Sequence, residues 1–134
     1  MSVRYLLDTN ICIYIRREQP PAVLTRFRRM HPGDAAISVV TWGELLFGAE
    51  RSTQRERALG ALQDFVSQVP VLPMPADAGA EYGAIRADLA ARGTPIGNND
   101  LWIAAHARSE GLTLVTNNER EFRRVKGLRV QNWA

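Results

Sequence analysis

Short apolar runs that stop on small polar residues alternate along this chain with longer stretches in which apolar residues recur every three or four positions. Val3–Leu7 is short and β-compatible, as expected of a strand buried on both faces. Asp8-Thr9-Asn10 follows with three residues favoured at helix N-caps, and Ile11, Tyr14 and Ile15 give helical spacing over Ile11–Arg17. Pro20-Pro21 breaks that helix and opens another over Ala22–Met30, whose Arg26, Arg28 and Arg29 predict a basic exposed face.

After the turn Pro32-Gly33-Asp34, a second strand is predicted over Ala35–Val40. Thr41 and Glu44 have the spacing of a capping box and open a helix that ends at Gly48. Arg51–Gln68 is amphipathic, with Leu59, Leu62, Val66 and Val69 as its core stripe and Phe65 beside it. Pro70–Met74 predicts a brief third strand and Ala76–Arg92 an alanine-rich helix stopped by Gly93 and Pro95. The turn-and-cap cluster Ile96–Asp100 leads into a helix over Leu101–Glu110. Leu112–Val115 is the fourth strand, Thr116-Asn117-Asn118 repeats the strand-then-cap pattern, Glu119–Val125 is helical, and Leu128–Val130 gives a last edge strand.

Strands alternating with helices predict an α/β fold with a mainly parallel sheet, and 134 residues fit one domain spanning 1–134. The apolar fraction of 46% and charged fraction of 23% are those of an ordinary globular protein, and no internal repeat or linker interrupts the pattern. Cys12 is the only cysteine, so an intrachain disulfide is excluded. No apolar run approaches the roughly 20 residues of a membrane span, and no signal-peptide order is present; no membrane association and a cytoplasmic location are the expectation.

Net charge is +3, and Lys126 is the only lysine, so the positive charge is almost all arginine. Arginine pairs with phosphate through a planar fork and stacks on bases, a bias compatible with a nucleic-acid substrate, although composition alone does not separate it from codon usage.

In parallel α/β sheets, ligands bind at the carboxyl ends of the strands where strand order reverses. Asp8 and Thr116–Asn118 stand at such ends, Glu44 about a turn beyond another, and Asp100 at a helix start. Each acid has a structural role open to it. Asp8 suits an N-cap, Glu44 a capping box, Asp100 the helix dipole, and Glu121 a solvated helix surface. If Asp8, Glu44 and Asp100 meet at one end of the sheet, their repulsion calls for a cation. Oxygen-only ligands point to a hard ion, Mg²⁺ or Mn²⁺. Such an ion on an arginine-rich protein suggests phosphodiester hydrolysis, with a carboxylate as general base.

Neither a Walker loop nor a strand-linked GxGxxG occurs. Asp8-Thr9-Asn10 lacks the second aspartate of haloacid-dehalogenase-type phosphatases, and the first strand does not end on a receiver-type acidic pair. His31, beside a turn, and His106, on a helix surface or edge, read as structural, as do Trp42, Trp102 and Trp133.

Four blocks in order carry a resemblance. Leu6–Asn10, Ser38–Leu45 with Phe47-Gly48, Pro95–Ala104 and Leu114–Phe122 resemble the signature blocks of PIN-domain toxins of the VapC type, and Tyr82–Arg86 and Gly127–Trp133 extend the similarity over almost the whole chain. The resemblance implies a three-layer α/β/α PIN-like domain and a Mg²⁺-dependent endoribonuclease, the toxin of a type II toxin-antitoxin module, acting on RNA of the transfer RNA class.

Carried over position by position, Asp8, Glu44 and Asp100 match the three shared acids, with Asp8 and Asp100 as metal ligands. Many PIN domains have aspartate where this chain has Asn118. Glu121, or a water held by Asn118, is then expected to complete the site, and a PIN-like RNA- or partner-binding module that does not cut is the alternative. Thr9 and Thr116 match supporting hydroxyls, Arg86 an RNA phosphate contact. A homodimer and a VapB-type antitoxin whose tail occupies the groove are the implied partners.

Overall fold

Leu6 and Leu7 are both wholly buried, so the strand that carries them must have helices on each face. The computed structural model, which describes residues 2–134, places them in β1 (Tyr5–Leu7) at the centre of a five-stranded sheet. The chain runs on through α1 (Thr9–Arg17), α2 (Pro21–Arg28), β2 (Ala35–Ser38), α3 (Val39–Glu50), α4 (Arg55–Val66), β3 (Val71–Leu72), α5 (Asp77–Ala91), α6 (Asn98–Ser109), β4 (Thr113–Val115), α7 (Glu119–Phe122) and β5 (Val130–Gln131).

The strand order is β3-β2-β1-β4-β5, and every pairing is parallel. Leu6 lies between Ala36 of β2 and Leu114 of β4. The chain therefore builds outward from β1 on one side, then returns to build on the other, and the reversal falls between β1 and β4. Both strands end there on polar residues, Asp8 and Thr116.

Alternation along the strands divides the interior into two layers. Leu6 and Leu114 face one way and pack with Ile85, Leu89, Ile103 and Phe122 of α5, α6 and α7. Leu7 and Val115 face the other way, with Ile11, Ile37, Leu45 and Leu62 of α1, β2, α3 and α4. The expected three-layer α/β/α architecture is the observed one, and the stripe of α4 packs as expected. Leu62 and Val69 are buried, and Leu59, Phe65 and Val66 are partly buried against the same cluster.

Several boundaries differ from expectation for identifiable reasons. The predicted strand over Ala35–Val40 stops at Ser38, whose hydroxyl accepts from the Val40 amide at 3.1 Å and caps α3. Thr41 is thus inside the helix, buried, with Oγ1 unpartnered among the described residues, and the capping box with Glu44 does not form. Helix α3 also runs past Gly48 to Glu50, and α4 starts only at Arg55, because Ser52 Oγ accepts from the Gln54 amide and turns the chain between them. His106, expected at a helix surface, is fully buried and places Nε2 3.2 Å from Glu110. The structural reading of this histidine stands; the surface position does not. Arg26 leaves the expected basic face of α2 and folds back, donating to Gln131 Oε1 at 3.2 Å over the ring of Trp133.

The cap assignment can be checked directly. Ser38→Ala should cost about 1 kcal/mol, whereas Thr41→Val, which removes an unpartnered buried hydroxyl, should be neutral or stabilising. Urea unfolding of the two variants reads the difference, and the opposite order of stabilities would restore the capping box.

Candidate active site

Asp8 follows β1 directly and is only 6% exposed. As N-cap of α1, its Oδ1 accepts from the Ile11 amide at 2.9 Å. Its Oδ2 accepts from the Thr116 hydroxyl at the end of β4, and Thr116 Oγ1 in turn accepts from the Asn118 amide at 2.9 Å. The structural role open to Asp8 is therefore real, but it engages the carboxylate from two sides of a crevice rather than from one helix end. Burial pushes its carboxyl above the ordinary value, the Thr116 and Ile11 bonds oppose that shift, and the charge of Glu44 reinforces it.

Around Asp8 the predicted residues converge. A cavity of about 150 Å³ is lined by Asp8, Thr9, Asn10, Glu44, Asp100 and Asn118, with Ile103 and Phe122 as apolar lining. Glu44 reaches it from α3, and Thr9 Oγ1 donates to Glu44 Oε1 at 2.7 Å, the partner that displaces the expected capping box. Asp100 stands in the first turn of α6. Glu121 and Asn118 are not rivals for the remaining corner: Asn118 Nδ2 donates to Glu121 Oε2 at 2.9 Å, so the amide holds the carboxylate.

Asp100 records the electrostatic consequence. Its carboxyl is pushed up from 3.8 to about 6, first by burial and then by the charges of Glu121, Asp8 and Glu44. Asp100 thus feels three other acids across the crevice, and no arginine or lysine stands among the residues that line the cavity. A divalent cation is the species that relieves such repulsion.

Among the described residues, no three Asp, Glu, His or Cys side chains are grouped closely enough to ligate one ion by themselves. An ion at this crevice would be held by one or two carboxylates and keep several of its waters, a mode open to small hard divalent cations. The donor set, oxygen throughout, fits the same class of ion.

Sequence reasoning missed Asn10. It lines the cavity, and its Nδ2 donates to Asn117 Oδ1 at 3.3 Å, while Asn117 Nδ2 donates to Tyr14 OH at 2.7 Å. Its place two residues after Asp8 in the cap cluster was the available signal. Arg86 lies outside the carboxylate cavity. It donates to Tyr82 OH at 2.8 Å, and Tyr82 OH donates to Asn98 Oδ1 at 2.5 Å, two positions before Asp100. Trp102 stacks on Tyr82 with ring centroids 4.0 Å apart, a packing role as expected.

Comparison with known proteins agrees with this geometry. The PIN domain family matches residues 5–128. The chain is 48% identical over 132 residues to the tRNA(fMet)-specific endonuclease VapC of Shigella flexneri, covering 98% of this chain and 99% of that one. It is 46% identical, with the same coverage, to Ribonuclease VapC2 of Haemophilus influenzae. Among solved structures, DNA-bound VapBC from Salmonella typhimurium superposes with a TM-score of 0.92 at 42% identity, over 98% of this chain and 99% of that one. VapBC2 from Rickettsia felis, bound to a DNA fragment from its promoter, gives 0.90 at 36% identity, over 98% and 100%.

The raised carboxyl of Asp100 has a measurable cost. Asp100 titrates at about 6 folded and near its ordinary 3.8 unfolded, so the folded state holds the proton more tightly. Its contribution favours folding below about pH 4 and is lost as pH rises through about 6. Solvent screening at this half-buried position leaves about 1 kcal/mol of that effect. In EDTA at pH 7.5, Asp100→Asn should therefore raise Tm by about 2–4 °C. Millimolar Mg²⁺ or Mn²⁺ should raise the Tm of the wild type more than that of the variant. A lower Tm for Asp100→Asn in EDTA would refute the repulsion.

Proposed function

The chain belongs to the PIN-domain family, as a VapC-type member, and on that premise we propose that it is a metal-dependent endoribonuclease and the toxin of a VapBC toxin-antitoxin pair. The observation that carries the reading is the convergence of Asp8, Glu44 and Asp100 on one crevice at the strand-order reversal, with Glu121 close enough to raise Asp100. It is an RNA-hydrolysing enzyme whose protein partner is a VapB-type antitoxin, in keeping with relatives that are ribonucleases and with solved VapBC complexes. Transfer RNA is the proposed substrate class, with the initiator species first because the Shigella relative is specific for it. A homodimer is part of the proposal.

Mg²⁺ is the proposed ion, with Mn²⁺ as its substitute, and Asp8 and Asp100 are its proposed ligands. When bound, the ion offsets the charge of the carboxylates and of the scissile phosphate and lowers the pKa of a bound water. The chain's own residues do the rest. Thr116 and the Ile11 amide fix Asp8, so that its orientation is set before substrate arrives. Thr9 fixes Glu44 by one oxygen, and Glu44 takes the proton of the attacking water. The water oxygen bonds to phosphorus as the bridging P–O bond breaks, and the departing oxygen takes a proton from solvent. Asn118 holds Glu121, whose charge acts on Asp100 and would support cation binding there.

Asp8→Asn and Asp100→Asn should each lower cleavage of initiator transfer RNA by at least about 100-fold, while Glu44→Gln should lower it by about 10²–10⁴-fold. Thr9→Val should cost less than Glu44→Gln, since it frees the carboxylate rather than removing it. Gel analysis of cut ends after Mg²⁺ addition measures all four, and wild-type rates in Asp8→Asn would defeat the assignment.

A further inference from the structure

Beside the carboxylate crevice lies a second cavity that the hydrolytic chemistry does not use. It is about 260 Å³, sits between α5 and α6, and is walled by Leu89, Pro95, Ile96 and Leu101, with Arg86 and Asn98 at its rim. Asn98 also lines the open space of about 440 Å³ over Glu44 and Asp100, so the two chambers share this residue. A chain passing through the crevice has this cavity directly alongside.

Its construction favours a preformed pocket. Arg124 Nη1 donates to the Pro95 carbonyl at 3.1 Å, and Arg92, paired with Asp88 at 2.7 Å, donates to the Arg124 carbonyl at 2.5 Å. The loop joining α5 to α6 is thereby tied to the segment after α7. Arg86 is exposed, and the two acids nearest it on its helix are engaged elsewhere: Glu81 with Arg108, Asp88 with Arg92 and Lys126. Its one partner among the described residues is the Tyr82 hydroxyl, whose ring lies 5.9 Å beneath its guanidinium carbon. Donors remain for an incoming acceptor.

An apolar slot with a cation and a carboxamide at its mouth is the chemistry that receives a planar heteroaromatic ring with hydrogen-bonding edges. We propose that this cavity takes one unstacked nucleobase of the RNA, from a nucleotide next to the scissile phosphate, with Arg86 and Asn98 at its polar edge. The assignment rests on the ribonuclease reading above and adds to it the place where base identity is sensed. Its size suits one base rather than a longer segment.

The test uses full-length initiator transfer RNA, first to map the cut bond, then with an abasic residue placed on either side of that bond. Wild type should cut one of the two abasic RNAs about 10- to 100-fold more slowly than intact RNA, the range expected for one lost base contact. Ala90→Trp, which fills the cavity from its exposed rim, should cut intact and abasic RNA at the same reduced rate, and Arg86→Gln should narrow the ratio. Unchanged melting of both variants guards against misfolding as the cause.

Equal cutting of intact and abasic RNA by wild type overturns the subsite and leaves the ribonuclease reading standing. Discrimination that persists in Ala90→Trp, together with a smaller hydrodynamic size, assigns the cavity to an interface between copies and also overturns it. If no transfer RNA is cut at all, the ribonuclease reading fails first and the subsite falls with it.

Discussion

The structure turns on a repulsion that it does not relieve by itself. Asp8 is buried at the end of β1, yet it accepts hydrogen bonds from the Thr116 hydroxyl just beyond β4 and from the Ile11 amide of α1 rather than pairing with an arginine or lysine. Two further acids share its crevice and Glu121 acts on Asp100, whose carboxyl is pushed up to about 6 first by burial and then by these charges. Burying charge without a counter-charge is among the costliest arrangements in a protein. It persists here because helix starts at Thr9 and Asn98 bring amide dipoles to the same end of the sheet, and because the strands beneath are locked by two apolar layers.

That support explains the topology's part in the chemistry. A reversal of strand order between β1 and β4 leaves their carboxyl ends without a crossover above them. Asp8 and Thr116 come from positions more than a hundred residues apart in sequence, and the parallel pairing of Leu7 with Val115 sets their separation. A slip of register would move Thr116 away from Asp8 and turn Leu114 and Val115 to the wrong layers. Core packing and site geometry are therefore enforced by the same pairing.

Much of this was legible in the sequence. The strand, acid and cap order at Leu6–Asn10 and at Val115–Asn118 fixed which residues stand at strand ends, and the alternation of elements fixed the layers. What the sequence could not supply was competition between partners. Thr41 and Glu44 satisfy a capping-box spacing, but Ser38 takes the cap and Thr9, 35 residues away, takes the glutamate. Likewise Asn118 and Glu121 read as alternatives for one corner because a hydrogen bond between side chains three residues apart leaves no mark on composition. His106 looked peripheral on a helix of mixed polarity, and only the packing of α6 between α5 and the sheet buries it.

Catalytic power and selectivity have different physical requirements, and the proposed base pocket meets the open space over the acids at one shared lining residue, Asn98. The carboxylate cavity is small and its polar lining is dominated by carboxylate, hydroxyl and carboxamide groups, a set suited to charge rather than to the identity of a base. Reading a base needs an apolar surface with a few directed polar groups, which would weaken the field that the acids create if it were mixed among them. Placing that surface beside Asn98 rather than among the acids keeps Asp8 and Glu44 in a polar crevice, while Gly97, whose added Cβ would lie 3.8 Å from the Asp100 carboxylate, ties the end of the α5–α6 loop to the site. The walls of the neighbouring cavity belong to a loop and two helix faces rather than to the sheet, so they are free of the register constraint that holds Asp8 and Thr116 together.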